Sequence, residues 1–101
     1  MKLLLITAVR EFEKDIKQIL KKAGVRSFSY QHVIGHHDAD GETIDGNWFA
    51  GEAAEFDSVF FHAFVADELT DIVFEQVNIF NDSITEQSHI HIAQTDIQKS
   101  Y

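Results

Sequence analysis

The densest group of potential metal ligands in this chain lies in the stretch HHDAD, which contains His36, His37, Asp38 and Asp40. Imidazole and carboxylate ligands together suit zinc, copper, nickel or cobalt. Side chains alternate on an extended chain, so His36, Asp38 and Asp40 can share a side that His37 does not. The motif predicts a divalent-metal site to which another loop or subunit adds ligands, and the alternative is an ordinary polar loop entrance.

A second candidate site follows in the stretch NWFAGE, which contains Trp48, Phe49 and Glu52. Exposed aromatic side chains are favoured anchors for protein partners. Trp48 is also the only tryptophan of the chain. We therefore expect these residues to contact a partner or ligand. The alternative is that Trp48 packs back against its own subunit or a neighbouring one.

Three histidines near the predicted strands form another possible cluster: His62, His89 and His91. The predicted strand order places one strand between His62 and the other two, so facing side chains lie about 10 Å apart. That spacing is too long for one shared ion within a subunit. Hydrogen-bonded histidines at an interface between subunits are the favoured interpretation, and they would make the assembly sensitive to pH.

Support for catalysis is weak. The chain has no cysteine. A serine, histidine and acid can be named in Ser58, His62 and Asp57, but no nucleophile motif surrounds them. The sequence therefore predicts a protein that is not an enzyme.

Composition limits the remaining classes. The 101 residues suffice for a single domain, 1–101, and the formal net charge is −9. Such a charge argues against a nucleic-acid partner, which needs clustered Lys and Arg. No apolar run is long enough to span a membrane, so direct membrane insertion is not expected. The absence of cysteine suits the cytoplasm.

Hydrophobic periodicity predicts four strands and two helices. Residues 2–8 and 57–65 are apolar on both faces, as expected for central strands, and 26–36 and 88–97 alternate. Helical spacing predicts a first helix over 11–23, with a Glu13–Lys17 ion pair on its solvated face. It also predicts a second helix, which Asp67 caps at its N-terminus. Residues 37–56, with three of the five glycines, form a long loop between strands two and three.

The order βαββαβ predicts an α+β, ferredoxin-like sandwich, with a four-stranded antiparallel sheet and both helices on one face. The crossover rule places the first and third strands in the centre. Because those strands are apolar on both sides, the uncovered face needs a partner. We expect a homo-oligomer that packs these sheet faces together.

With this order and loop, the chain resembles the PII signalling superfamily over nearly its whole length. The resemblance implies a homotrimer with inward-facing sheets, in which 37–56 is the effector-type loop that touches a partner protein, and some relatives are associated with membrane transporters. Ligand clefts would lie between subunits, lined by the loop base and by 81–88. That stretch (NDSITEQS) has no glycine, lysine or arginine, which weighs against ATP binding in the family's manner. The loop has no tyrosine for nucleotidylation.

Together with the resemblance, these observations predict a cytoplasmic, PII-like trimeric signalling protein. Its 37–56 loop would sense a small ligand or metal and engage a partner such as a membrane transporter. The alternative is a divalent-metal-binding or metal-tolerance protein that uses His36, His37, Asp38 and Asp40. A purely structural trimer with a disordered loop is the third hypothesis.

Overall fold

The structure is a computed structural model that describes residues 1–37, 55–85 and 88–101. The described elements are, in chain order, β1 (Lys2–Val9), a 3-10 turn (Arg10–Phe12), α1 (Glu13–Lys22), β2 (Ser29–His36), β3 (Glu55–Val65), α2 (Asp67–Ser83) and β4 (His91–Asp96).

The four strands form one sheet in the order β2-β3-β1-β4, and every neighbouring pair is antiparallel. β1 and β3 are therefore the central strands, because each crossover through a helix skips one strand position. The predicted α+β, ferredoxin-like fold, with two helices beside a four-stranded antiparallel sheet, is confirmed.

The hydrophobic core lies between the sheet and the two helices. On β1 every second side chain is fully buried, beginning with Leu4 and Ile6, and β3 adds Val59 and Phe61. The ring of Phe61 stacks on Tyr30, with ring centroids 5.1 Å apart. These residues pack in one cluster with the buried stripes of α1 and α2, so both helices cover the same face of the sheet.

Helix α1 ends in a hydrogen-bonding pattern that requires a residue with positive φ. The amide of Val25 donates to the carbonyl of Leu20 (2.9 Å), and the amide of Gly24 donates to that of Lys21 (3.1 Å). Gly24 adopts a φ of +91°, where a side chain is unfavourable. The glycine stop that the sequence predicts is therefore confirmed, and it turns the chain towards β2.

Several predicted boundaries differ from the structure. The first helix begins at Glu13, because 10–12 form a tighter 3-10 turn. Asp67 is not the N-cap of α2. Ala66 holds that position, and the Asp67 carboxylate instead lies 2.6 Å from the N-terminal amine of Met1.

The strand ends also differ from the prediction. β2 begins at residue 29 rather than 26. β3 begins at Glu55, so the last two residues of the predicted 37–56 loop belong to a strand. β4 begins at residue 91 rather than 88, because the side chain of Asn81 occupies both backbone groups of Ile90.

Candidate functional site

One face of the sheet is not covered by either helix, and we call it the open face. Its side chains alternate with the buried ones along each strand and are set by the strand register. They are Leu3, Leu5, Thr7 and Val9 on β1; Ser29, Gln31, Val33 and Gly35 on β2; Phe56, Ser58, Phe60, His62 and Phe64 on β3; and His91, Ala93 and Thr95 on β4.

The open face carries no aspartate, glutamate, lysine or arginine among its described strand residues, although a quarter of the whole chain is of these types. The charged strand residues Lys2, Glu55, Asp57 and Asp96 belong to the other side of the sheet, where Lys2 pairs with Asp96. An uncharged face on a chain with a net charge of −9 is a surface on which two copies can meet without strong repulsion.

An apolar groove crosses the open face, with a volume of about 440 Å³. Side chains from all four strands line it, including Leu5, Val33, Phe60 and Ala93. The hydroxyl of Ser58 also lies in this lining region, where it is buried and has no hydrogen-bond partner among the described residues. The groove therefore offers apolar walls and no charged side chain.

Phe64 is the most exposed aromatic side chain of the described strands, with 62% of its surface open to solvent. It lies opposite Leu3 at one end of the open face, and His62 is its nearest neighbour on that face of β3. His62 is exposed, and its ring centroid lies 6.0 Å from that of Phe60. An exposed aromatic side chain on an apolar face is typical of a protein interface.

The ends of the predicted effector-type loop are held side by side. Gly35 pairs with Phe56 and His36 pairs with Glu55, so the segment between them leaves and re-enters at the same end of the sheet. The predicted contact residues Trp48, Phe49 and Glu52 lie outside the described residues, as do the candidate metal ligands Asp38 and Asp40.

Of the predicted metal ligands, His36 is the last residue of β2 and His37 follows it. Glu55, which the sequence analysis did not single out, lies directly across from His36, where facing Cβ atoms are about 5 Å apart. Within the residues 1–37, 55–85 and 88–101, no group of three or more histidine, aspartate or glutamate side chains is close enough to hold a metal ion.

The serine, histidine and acid named in the sequence analysis, Ser58, His62 and Asp57, do not lie close enough together to act as a catalytic set. Asp57 and Ser58 are adjacent in β3 and so point to opposite faces of the sheet. His62 shares the open face with Ser58 but lies four residues along the strand, about 13 Å away. The expected separation of the histidines is confirmed for two of them, because β1 lies between His62 and His91.

The region before β4 is organised by a side-chain amide. The carboxamide of Asn81 accepts a hydrogen bond from the amide of Ile90 and donates one to its carbonyl, both at 2.9 Å. These two bonds fix the entry of the chain into β4, which is a structural role for the first residue of the stretch 81–88.

A polar network at the α1–β2 edge was only partly predicted. Glu13 and Lys17 form the expected ion pair at 3.0 Å. Glu13 also contacts His32 Nε2 at 2.5 Å, and the Lys17 ammonium donates to the Tyr30 hydroxyl at 2.9 Å. Hydrogen bonds from His32 and then Lys17 lower the pKa of Glu13, and those to Tyr30 and Glu13 raise the pKa of Lys17.

The sequence contained one signal for this network. Tyr30 and His32 alternate on one side of the predicted second strand, so the strand pattern groups them. Their meeting with α1 depends on how the helix crosses the sheet, which the pattern does not specify.

Comparison with protein-family models gave no match for this chain, and a search of curated proteins gave none either. No helix in the described part of the chain is long and apolar enough to cross a membrane.

Proposed function

We propose that this protein is a cytoplasmic, PII-like signalling or regulatory protein that works as an assembly of identical subunits, with a homotrimer as the expected state. The observation that carries the proposal is the open face, which is apolar at its centre and free of formally charged side chains in the described strands. A soluble domain gains little from such a face unless a second surface covers it.

The position of the 37–56 segment supports a regulatory role. Both of its ends are held in adjacent strands, at the end of the sheet where the groove reaches Gly35 and Ser58. A ligand or partner that orders the segment would therefore act close to the proposed subunit interface. Ordering of a segment by a ligand is a recognised switching route. The partner that we propose is a membrane transporter, as in some proteins that the chain resembles.

The association is tested by placing a charge on the open face. Ala93 is exposed on the edge strand β4, so Ala93→Glu is expected to fold. We expect this variant to dissociate into monomers in analytical ultracentrifugation, because an unpaired carboxylate would be buried at the interface. Gln18→Glu adds the same charge on the exposed side of α1 and should leave the assembly intact. A wild-type chain that is monomeric at every concentration would refute the assembly.

The sensing role is tested separately with the fluorescence of Trp48, the only tryptophan of the chain. The purified protein would be titrated with ATP, ADP, AMP, cyclic nucleotides, bicarbonate and the ions of zinc, copper, nickel and cobalt. A saturable change with one of them is expected and would identify its class. No change with any of them would contradict ligand sensing and leave protein recognition as the role of the segment.

Divalent-metal binding is the second candidate function, and the pairing of His36 with Glu55 favours it. These two side chains would supply part of a coordination shell, and His37, Asp38 and Asp40 are the proposed further ligands. The proposal predicts a stoichiometric metal in protein purified without a tag or chelator, and loss of that metal in His36→Ala and Glu55→Gln. Metal content unchanged in both variants would exclude this site.

A further inference from the structure

We propose that the open face is self-complementary, so that Phe64 of one copy enters the apolar groove of a second copy. This inference rests on the proposed association through the open face and specifies how that association is made. It assigns Phe64 as the inserted side chain and the groove lined by Leu5, Phe60, Val33 and Ala93 as its receptor.

The exposure of Phe64 is the first argument. With 62% of its surface in water, it is the largest apolar side chain on the open face that the fold itself leaves uncovered. Phe60, two rows away on the same strand, is partly covered by its neighbours. Aromatic side chains inserted into pockets are the commonest strong anchors of protein interfaces.

The dimensions of the groove are the second argument. A volume of about 440 Å³ lies within the range of about 300–1,000 Å³ that is usual for pockets that enclose an organic molecule. An aromatic side chain therefore fits. The absence of formally charged side chains from its lining means that an apolar guest need not desolvate a charge when it enters.

A chain cannot fill its own groove with Phe64. Phe64 lies across from Leu3, whereas Phe60 and Thr7, which line the groove, lie four residues further along the paired strands. Four residues of strand span about 13 Å, which exceeds the reach of a phenylalanine side chain. The inserted ring must therefore come from another molecule.

In charge, the open face matches a second copy of itself. A copy of the same chain presents the same uncharged face, so no charge on either side loses its water. Because Phe64 and the groove lie on one face, each copy can insert its own Phe64 side chain and accept the Phe64 side chain of another copy. Such contacts close into a symmetric dimer or into a ring of subunits.

The test uses two variants that remove opposite halves of the contact. Phe64→Ala removes the inserted ring, and Ala93→Phe fills the groove with an apolar side chain and adds no charge. Each should weaken self-association roughly thirtyfold or more in analytical ultracentrifugation, as expected for a central anchor. Ile79→Ala, which truncates a side chain that is 55% exposed on α2, is the matched control and should leave association unchanged.

Mixing the two variants gives the sharper result. Phe64→Ala retains an intact groove, and Ala93→Phe retains an intact Phe64, so the mixture should form a mixed assembly that neither variant forms alone. Native mass spectrometry distinguishes the mixed species, because the two chains differ in mass. Circular dichroism spectra equal to wild type would show that each variant is folded.

The possible failures are distinguishable. Dissociation of Ala93→Glu together with unchanged association of Phe64→Ala and Ala93→Phe would overturn the ring-in-groove contact and keep the proposed assembly. A monomeric wild type would overturn both. Binding of an apolar dye that Ala93→Phe blocks without any effect on association would assign the groove to a small molecule instead and would also overturn the inference.

Discussion

Phe60 and Phe61 are neighbours in β3 that occupy opposite faces of one sheet, and their surroundings differ. Phe61 is 1% exposed and packs on Tyr30 and Phe28 beneath the helices. Phe60 is only partly covered and lines a groove that is open to solvent. The same type of side chain therefore holds the fold together on one face and offers a contact surface on the other.

Charge divides the two faces in the same way. The helix-covered side and its margins carry the ion pairs, among them Glu13 with Lys17 and Lys2 with Asp96. The open face has no such pair among its described strand residues. We infer that the helix-covered face determines whether the chain folds and that the open face determines what the folded chain meets.

The largest expected difference between the faces is in the cost of truncating the two phenylalanines. Phe61→Ala should lower the free energy of unfolding by about 3–5 kcal/mol, because it leaves a cavity in the core. Phe60→Ala should cost less than half as much and should mainly weaken association. Urea unfolding at concentrations where the chain is monomeric measures both, and equal costs would break the distinction between the faces.

The attachment of β4 to the helix layer gives the next prediction. Asn81→Ala removes both hydrogen bonds to the backbone of Ile90 and leaves a buried amide and carbonyl unpaired. We expect a loss of about 1–3 kcal/mol in the free energy of unfolding. Asn78→Ala, at an exposed position of the same helix, is the control and should change stability by less than about 0.5 kcal/mol.

A positive charge at position 62 should weaken association through the open face. The strand neighbours of His62 are Leu5, Ser29, Phe60 and Phe64, none of which carries a negative charge. His62→Lys places an ammonium group without an anionic partner at the apolar interface and should weaken self-association roughly tenfold or more. Sedimentation of this variant beside wild type should show the loss. His62→Gln adds no charge and should associate as wild type does, and an unchanged assembly in His62→Lys would refute the effect.

The smallest expected effect concerns the helix-covered side. The pKa of Glu13 lies below its usual value of 4.5, because His32 and Lys17 hydrogen-bond to the carboxylate. Its contribution to stability is therefore present above pH 4.5 and is lost as the pH falls through the lowered value. Glu13→Gln should remove a small part of the acid dependence in unfolding experiments from pH 6 to pH 3. An unchanged slope would show that the contacts of this exposed network are not maintained in solution.

Much of the fold followed from local pattern. The two-sided apolar strands 2–8 and 57–65 indicated the central positions that β1 and β3 occupy, and helical spacing indicated α1 and α2. The alternation also placed Phe64 and His62 on one face. These features depend only on the period of side chains along a strand or helix, so a single sequence is enough to show them.

The details of the site did not follow in the same way. Three contacts join residues from separate segments of the chain: His36 with Glu55, Asn81 with Ile90, and Glu13 with His32. The start of β4 depends on the same kind of contact, because Asn81 holds the backbone of Ile90. At the other boundary error, Ala66 is the N-cap of α2 and its carbonyl accepts a hydrogen bond from the amide of Leu69.

The sequence by itself determined the order of the elements, the central strands and the apolar character of the uncovered sheet face. Only the tertiary structure decided the strand register, the shape of the groove and the distance that separates it from Phe64. The physical reason is that side-chain direction repeats along one element, whereas register and concavity arise from the packing of several elements against each other.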